Sequence, residues 1–362
     1  MIRIADFHFQ SQRLWGRFLD VCDTPVNLNG KYDVIFTHRE VEGEGEFEKI
    51  EQYCKPNTKI IVDITTESGQ VELFLERFKK IIEKYNYEFT LISDLPIKEK
   101  LNCKVIDDYS LAFLGHLHDN IHGRVFLHHD NKELTHGVES FNGSLRKQRL
   151  WLNYFCNKEF KSSKAILDTD FYFWFYLNKG EGPKFYQEDF NDFVRELPQE
   201  THHTLREKFQ VTYHESHRML QENWNDLKYL GRTINLISEN VTGLIEQDDK
   251  NHISFTEKTI KPFVRGQIPL IHGYKGLQNE LRKLGFDLFD DFVDHSYENE
   301  TDEILRIEQI VKEAKRLTYL NTKEFLNNNQ HRVFNNKKLC EELLWKGKSL
   351  IIKLIDEILQ KK

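Results

Sequence analysis

The chain has 362 residues, 39% hydrophobic and 13% aromatic, with 51 basic and 58 acidic side chains and a net charge of −7. That length exceeds one ordinary core and suits two domains, and the apolar share excludes global disorder. The mixed, slightly acidic charge speaks against broad nucleic-acid binding, and no stretch holds the ~18 apolar residues that span a bilayer.

Met1–Gln10 is interrupted by Arg3, Asp6 and His8, so it lacks the apolar centre of a signal peptide. The expectation is a cytoplasmic protein. Cys22, Cys54, Cys103, Cys156 and Cys340 are widely spaced, with no C-x-x-C pair, and read as reduced thiols.

Taken in chain order, Tyr32–Thr37 and Lys59–Thr65 have the apolar, β-branched run of buried strands. Between them Glu40, Glu42, Glu44 and Glu46 predict a solvated acidic loop. Val71–Tyr85 sets Leu73, Leu75, Phe78, Ile81 and Ile82 on one helical face, and Phe89–Ser93 is strand-like again. Strand, helix, strand in that order predicts βαβ units around a parallel sheet, which runs at Leu111–Leu114 and Arg124–Leu127 would complete.

A second cycle opens near residue 137. Val138–Phe141 reads as a strand, Asn142-Gly143-Ser144 as a turn and cap, and Leu145–Phe155 as a helix. Ala165–Leu167 is a candidate strand, and the aromatic, charged stretch Asp170–His217 reads as an insertion. Thr233–Ile237 and Ile268–Ile271 are predicted strands. Thr256–Val264, Leu277–Leu284 (closed by Gly285), Glu303–Leu317 and Leu339–Leu359 are predicted helices. The pattern divides into two α/β domains, over 1–135 and 136–325, and a terminal helix over 326–362.

Ligands of open parallel sheets sit at the carboxyl ends of strands, against helix N-termini whose free N–H groups attract phosphate. Glu239 tips one such strand. Thr256 is placed to cap the next helix, whose first turn holds Glu257 and Lys258. Glu257 suits the ribose hydroxyls of a nucleotide and Lys258 its diphosphate; the plainer alternative is that both merely serve the helix dipole and solvent. At the junction after Val138–Phe141, Asn142 precedes Arg146 and Arg149, three apart on one helical face. Either arginine could grip a diphosphate in bidentate fashion, or the pair could be a solvated basic helix start.

The run from Ile234 through Glu239, Thr256-Glu257-Lys258 and Gly266-Gln267-Ile268-Pro269 resembles the donor-binding segment of the α1,3-fucosyltransferases. It is still more similar to phage and bacterial glycosyltransferase-like proteins, through Thr256-Glu257-Lys258-Thr259, Lys261-Pro262, Leu281 to Gly285-Phe286, and Asp294-His295-Ser296-Tyr297. The likeness covers residues 233–317. It implies a GT-B glycosyltransferase: two Rossmann-like α/β domains facing each other across a cleft, 1–135 on the acceptor side and 136–325 binding the nucleotide-sugar, with the helix of 326–362 packing back on the first domain and Glu239, Glu257 and Lys258 as donor contacts. The same group has Asn, Arg and Arg where this chain has Asn142, Arg146 and Arg149. Ser238 and Ile260-Lys261-Pro262 depart from the fucosyltransferase pattern, so fucose does not carry over.

For the base that activates the acceptor, the resemblance points to the N-terminal domain. There Asp63 and Glu67 flank Ile64-Thr65-Thr66 at a strand end, and His38 ends another strand. Each also has a structural reading, Glu67 as a helix cap among them. His116, His118, His122, His128, His129 and His136 follow no zinc spacing, and Asp168-Thr169-Asp170 lacks supporting neighbours, so no metal is expected.

The expected activity is metal-independent, inverting transfer from a nucleotide-diphosphate sugar to a hydroxyl acceptor, with no further cofactor. The acceptor is a glycan or similar molecule, or a hydroxymethylated base of phage DNA. The alternative is a catalytically inactive transferase-fold protein used for nucleotide sensing or assembly. The G-x-G-x-x-G of a nicotinamide enzyme is absent.

Overall fold

The computed structural model describes residues 3–6, 22–23, 30–37, 44–65, 71–94, 96–119, 124–125, 134–140, 147–160, 195–196, 232–239 and 256–360. The candidate strand Ala165–Leu167 lies outside them, as does Asp170–His217 apart from 195–196. The chain divides into two compact units. One comprises Met1–His128, Asp249–Ile260 and Lys338–Lys362, the other His129–Asp248 and Lys261–Lys337. The sequence reading draws its boundaries at 135/136 and 325/326, by where a new cycle of elements and a last helix begin; contacts draw them by which core each segment packs on.

The first unit is built on a parallel sheet of β1 (Ile4–Asp6), β2 (Cys22–Asp23), β3 (Tyr32–Thr37), β4 (Cys54–Asp63), β5 (Glu88–Ser93) and β6 (Lys104–Asp107). The strands lie in the order β2-β1-β3-β4-β5-β6. Helices α1 (Glu44–Glu51), α2 (Val71–Lys84) and α3 (Ser110–Leu117) connect or follow them. Phe47 and Ile50 of α1 and Leu75, Phe78, Ile81 and Ile82 of α2 share one core with Ile35, Ile60, Val62, Phe89 and Leu91 of the sheet. A two-stranded antiparallel ladder of β7 (His118–Asp119) and β8 (Arg124–Val125) ends the first stretch.

Two expectations are corrected here. The acidic run is not a loop throughout: from Glu44 it forms α1, which buries Phe47 and Ile50 in the core. Leu111–Leu114 is helical, because the Oδ1 of Asp108 accepts from the N–H of Ser110 at 2.8 Å and starts a turn there.

The second unit carries β9 (Thr135–Glu139), α4 (Lys147–Phe160), β10 (Arg232–Ser238), α5 (Glu257–Arg265), β11 (Ile268–His272) and α6 (Leu277–Leu284). A 3₁₀ turn at Ser296–Asn299 follows, then α7 (Glu303–Thr318), α8 (Thr322–Asn328) and α9 (Gln330–Gln360). Of these, α5 up to Ile260 and α9 from Lys338 group with the first unit. The sheet is parallel, in the order β11-β10-β9. One face presents Val138, Ile234, Leu236, Ile268 and Leu270 to Leu150, Trp151 and Phe155 of α4 and to Ile307, Ile310, Val311 and Ala314 of α7. Each buried aliphatic chain contributes about 1.5–3 kcal/mol, so this seam sets where the starts of α4 and α7 stand.

Local chemistry ends the elements where expected. Gly285 closes α6 with a φ of 99°, a left-handed conformation that costs a Cβ-bearing residue dearly. Asp302 caps α7, accepting from the N–H of Leu305 at 2.9 Å. Within the first unit α9 passes so close to α3 that a Cβ on Gly347 would lie 2.4 Å from the carbonyl oxygen of Ser110. Among the described residues no helix is long and apolar enough to cross a membrane. The architecture is α/β with parallel sheets in both units.

Candidate functional site

Three polar side chains meet the carboxyl edge of the second sheet. Ser238 and His272 are neighbours in the β10–β11 register, and Glu239 follows with its N–H on the carbonyl of His272 at 2.9 Å. All three are buried. The helical repeat of α4 turns Arg149 inward, only 1% exposed, and its Nη2 donates to the carbonyl of Ser238 at 3.3 Å. Sequence periodicity presents Arg149 as a surface grip; the structure makes it a buried cation at the strand end.

His272 is fully enclosed. Neither ring nitrogen has a hydrogen-bond partner among the described residues, and the same holds for the hydroxyl of Ser238. Burial first, and the Arg306 charge second, push the imidazole well below the usual histidine range. The 3.7 Å approach of Glu303 Oε1 to its Nε2 is therefore not an ion pair, since the ring stays neutral. Arg306 itself donates to the carbonyl of Gly273. Buried polar groups normally bond to something, so Ser238 and His272 keep bonding capacity that the described residues do not use. Neither residue stood out in the sequence, where Ser238 registers only as a departure from the fucosyltransferase pattern.

On the opposite face lies a closed network. Gln267 Nε2 donates to Glu139 Oε1 at 2.6 Å and to the Arg232 carbonyl at 2.8 Å. Asn235 Nδ2 donates to Gln267 Oε1 at 3.0 Å and to Glu139 Oε1 at 3.3 Å. Glu139 faces the charge of Arg265, whose guanidinium is held below its ordinary range by burial. The Gly-Gln-x-Pro segment thus supplies a strut inside the sheet: Gly266, at a φ of 72°, lets the chain turn into Gln267. The Asp294–Tyr297 turn is a strut as well. Asp294 Oδ1 accepts from Ser296 N at 2.9 Å, and Tyr297 is buried beside Gln278, which donates to the carbonyl of Ile271 at 2.6 Å.

At the start of α5 the expected cap is present: Thr256 Oγ1 accepts from the N–H of Lys258 at 3.2 Å. Glu257 is the first helical residue, and Lys258 is half-buried. Asn142, Arg146 and Glu67 lie outside the described residues.

In the first unit Asp63 ends β4, 5% exposed, and its Oδ1 accepts from the N–H of Thr65 at 2.9 Å and its hydroxyl at 2.6 Å. Asp63 registers with Ile92 of β5, and Asp94 follows that strand by one residue, 3% exposed. Burial, then the Asp63 charge, push the Asp94 carboxyl up to about 7, against the pull of its own backbone N–H. Asp94 was not legible in the sequence, where Ser-Asp after a strand is ordinary turn chemistry.

His136 is structural, its nitrogens on Thr322 Oγ1 at 3.1 Å and the Thr318 carbonyl at 2.8 Å. Burial pushes the thiols of Cys54 and Cys103 up to about 12 and about 11, which leaves them poor nucleophiles. No grouping of three or more metal-ligating side chains occurs among the described residues. Set against protein-family models, curated proteins and solved structures, the chain matches none.

Proposed function

We propose that this chain is a nucleotide-sugar-dependent glycosyltransferase of the GT-B arrangement, transferring a sugar to an acceptor hydroxyl. The observation that carries the reading is the carboxyl edge of β10 and β11, where Arg149 and Glu239 converge with Ser238 and His272, whose side chains have no hydrogen-bond partner among the described residues. Doubly wound sheets bind nucleotides at such edges. The motif resemblance names the ligand as a nucleotide-diphosphate sugar and assigns Asn142, Arg146, Arg149, Glu239, Thr256, Glu257 and Lys258 to it. Arginine and lysine then neutralise the departing diphosphate without a metal, and transfer proceeds with inversion.

The first unit supplies the acceptor side. Asp63, with Asp94 beside it, or Glu67 takes the acceptor proton; a carboxyl titrating near neutrality is tuned for that work. A glycan is the favoured acceptor, with a hydroxymethylated base of phage DNA as the other.

Thermal unfolding with UDP-, GDP-, ADP- and CMP-sugars tests the reading. One donor class at a hundred times its Kd should stabilise the protein by about 2.7 kcal/mol, and Lys258→Ala should weaken that donor at least ~10-fold by calorimetry. If no class shifts the transition, the transferase assignment fails. Turnover should also survive a chelator, and a strict requirement for Mg²⁺ or Mn²⁺ would refute the metal-free mechanism.

A further inference from the structure

Between the first turns of α4 and α7 the second unit has a half-open pocket of about 180 Å³. Lys147, Gln148 and Trp151 line one side, and Asp302, Glu303 and Ile304 the other. The volume falls short of the ~300–1,000 Å³ of a pocket for a drug-sized ligand, so a single ring fits and a nucleotide does not.

The charges narrow the ligand further. Lys147 is already held by Glu196. Two carboxylates, Asp302 and Glu303, therefore face the cavity against one paired ammonium, a wall that repels phosphate. Oδ1 of Asp302 is used by the helix cap, which fixes the side chain. Behind Glu303 stand the cation Arg306 and the neutral ring of His272, 3.7 Å from Oε1. The surroundings are nearly balanced in charge, rich in acceptors and apolar at Ile304 and Trp151. Carboxylates and an amide bond hydroxyl groups, while aliphatic and indole surface covers C–H faces.

We propose that this cavity seats the sugar ring of the substrate, with Asp302 and Glu303 accepting hydroxyl protons and Gln148 bonding a further hydroxyl. The source of the sugar rests on the glycosyltransferase reading; the cavity's preference for a neutral polyhydroxylated ring does not. The buried His272, whose Nε2 lies 3.7 Å from Glu303 Oε1, and its register neighbour Ser238 have no side-chain hydrogen-bond partner among the described residues. A built polar wall of this kind is unusual for a packing defect.

Saturation-transfer NMR on the full chain with free glucose, galactose, fucose and N-acetylglucosamine, each with and without UDP or GDP, tests this. At least one saccharide should give signal, and Ile304→Trp, which fills the cavity without touching its charges, should abolish it. Glu303→Gln keeps the volume and should weaken binding about tenfold, the loss of one charge-assisted hydrogen bond. Melting curves establish that both variants fold. Absence of signal from every saccharide, or signal that survives Ile304→Trp, overturns the proposal. Saccharide binding in a protein that binds no nucleoside diphosphate would uphold the cavity while sinking the transferase reading.

Discussion

Gln267→Leu should destabilise the second unit by about 3–5 kcal/mol, the loss seen when a buried charge is stripped of a partner. The substitution keeps most of the volume, so cavity terms are small. It removes the 2.6 Å donor to Glu139, the 2.8 Å donor to the Arg232 carbonyl and the acceptor of Asn235 Nδ2. Glu139 is 1% exposed and has no route to water without opening the sheet. Gln267→Glu should be worse at neutral pH, since it sets a second carboxylate against the first, and should recover on acidification as one of them protonates. Native-state hydrogen exchange of the β9–β11 amides isolates the effect from the first unit. A loss under about 1 kcal/mol would show that Glu139 is satisfied without Gln267.

The second large effect is on pH dependence, through Asp94. The unfolded chain releases the Asp94 proton near pH 3.8, whereas the folded protein holds it to about pH 7. Between those values the native state binds the extra proton, so stability falls as pH rises. The contribution is complete below about pH 4 and gone above about pH 7, and its full size is on the order of 4 kcal/mol. Asp94→Asn, which has the same shape and cannot ionise, should flatten the slope across that window. Burial is the larger cause, so Asp63→Asn should reduce the slope only in part. Denaturant midpoints measured across the window give both results. A slope unchanged in Asp94→Asn would place the titration elsewhere.

The same two residues bear on catalysis. If Asp94 shares a proton with the base, kcat should rise through about pH 7 in the wild-type protein. Structural stability would fall over the same range, so the two readouts oppose each other and separate easily.

Much of the fold was legible as local pattern. The strands at β3, β4, β5, β10 and β11 announce themselves as β-branched apolar runs, and α2, α6 and α7 as amphipathic helices, α6 with a recognisable end at Gly285. Leu111–Leu114 was not, because a four-residue apolar run has no period; the Asp108 cap decides it. The start of α1 was masked by its own glutamates, which in isolation look like solvated charge.

The candidate site was less legible, for reasons that differ by residue. Thr256 follows from capping chemistry alone. Arg149 was singled out as a surface grip, but its burial depends on the roll of α4 against the sheet, which the α4 and α7 packing sets. Gln267 belongs to a recognisable segment, yet its partner Glu139 stands 128 residues away.

By itself, then, the sequence determined most of the longer strands and helices, the Thr256 and Gly285 caps and the α/β class, and offered candidate positions for chemistry, since each depends on neighbours a few residues apart. Which of those positions meet was a tertiary matter. The alignment of β4 with β5 sets Asp94 against Asp63, and that of β10 with β11 sets Ser238 beside His272. Burial and charge at those meetings, which no local pattern encodes, decide which carboxyl holds a proton and which imidazole stays neutral.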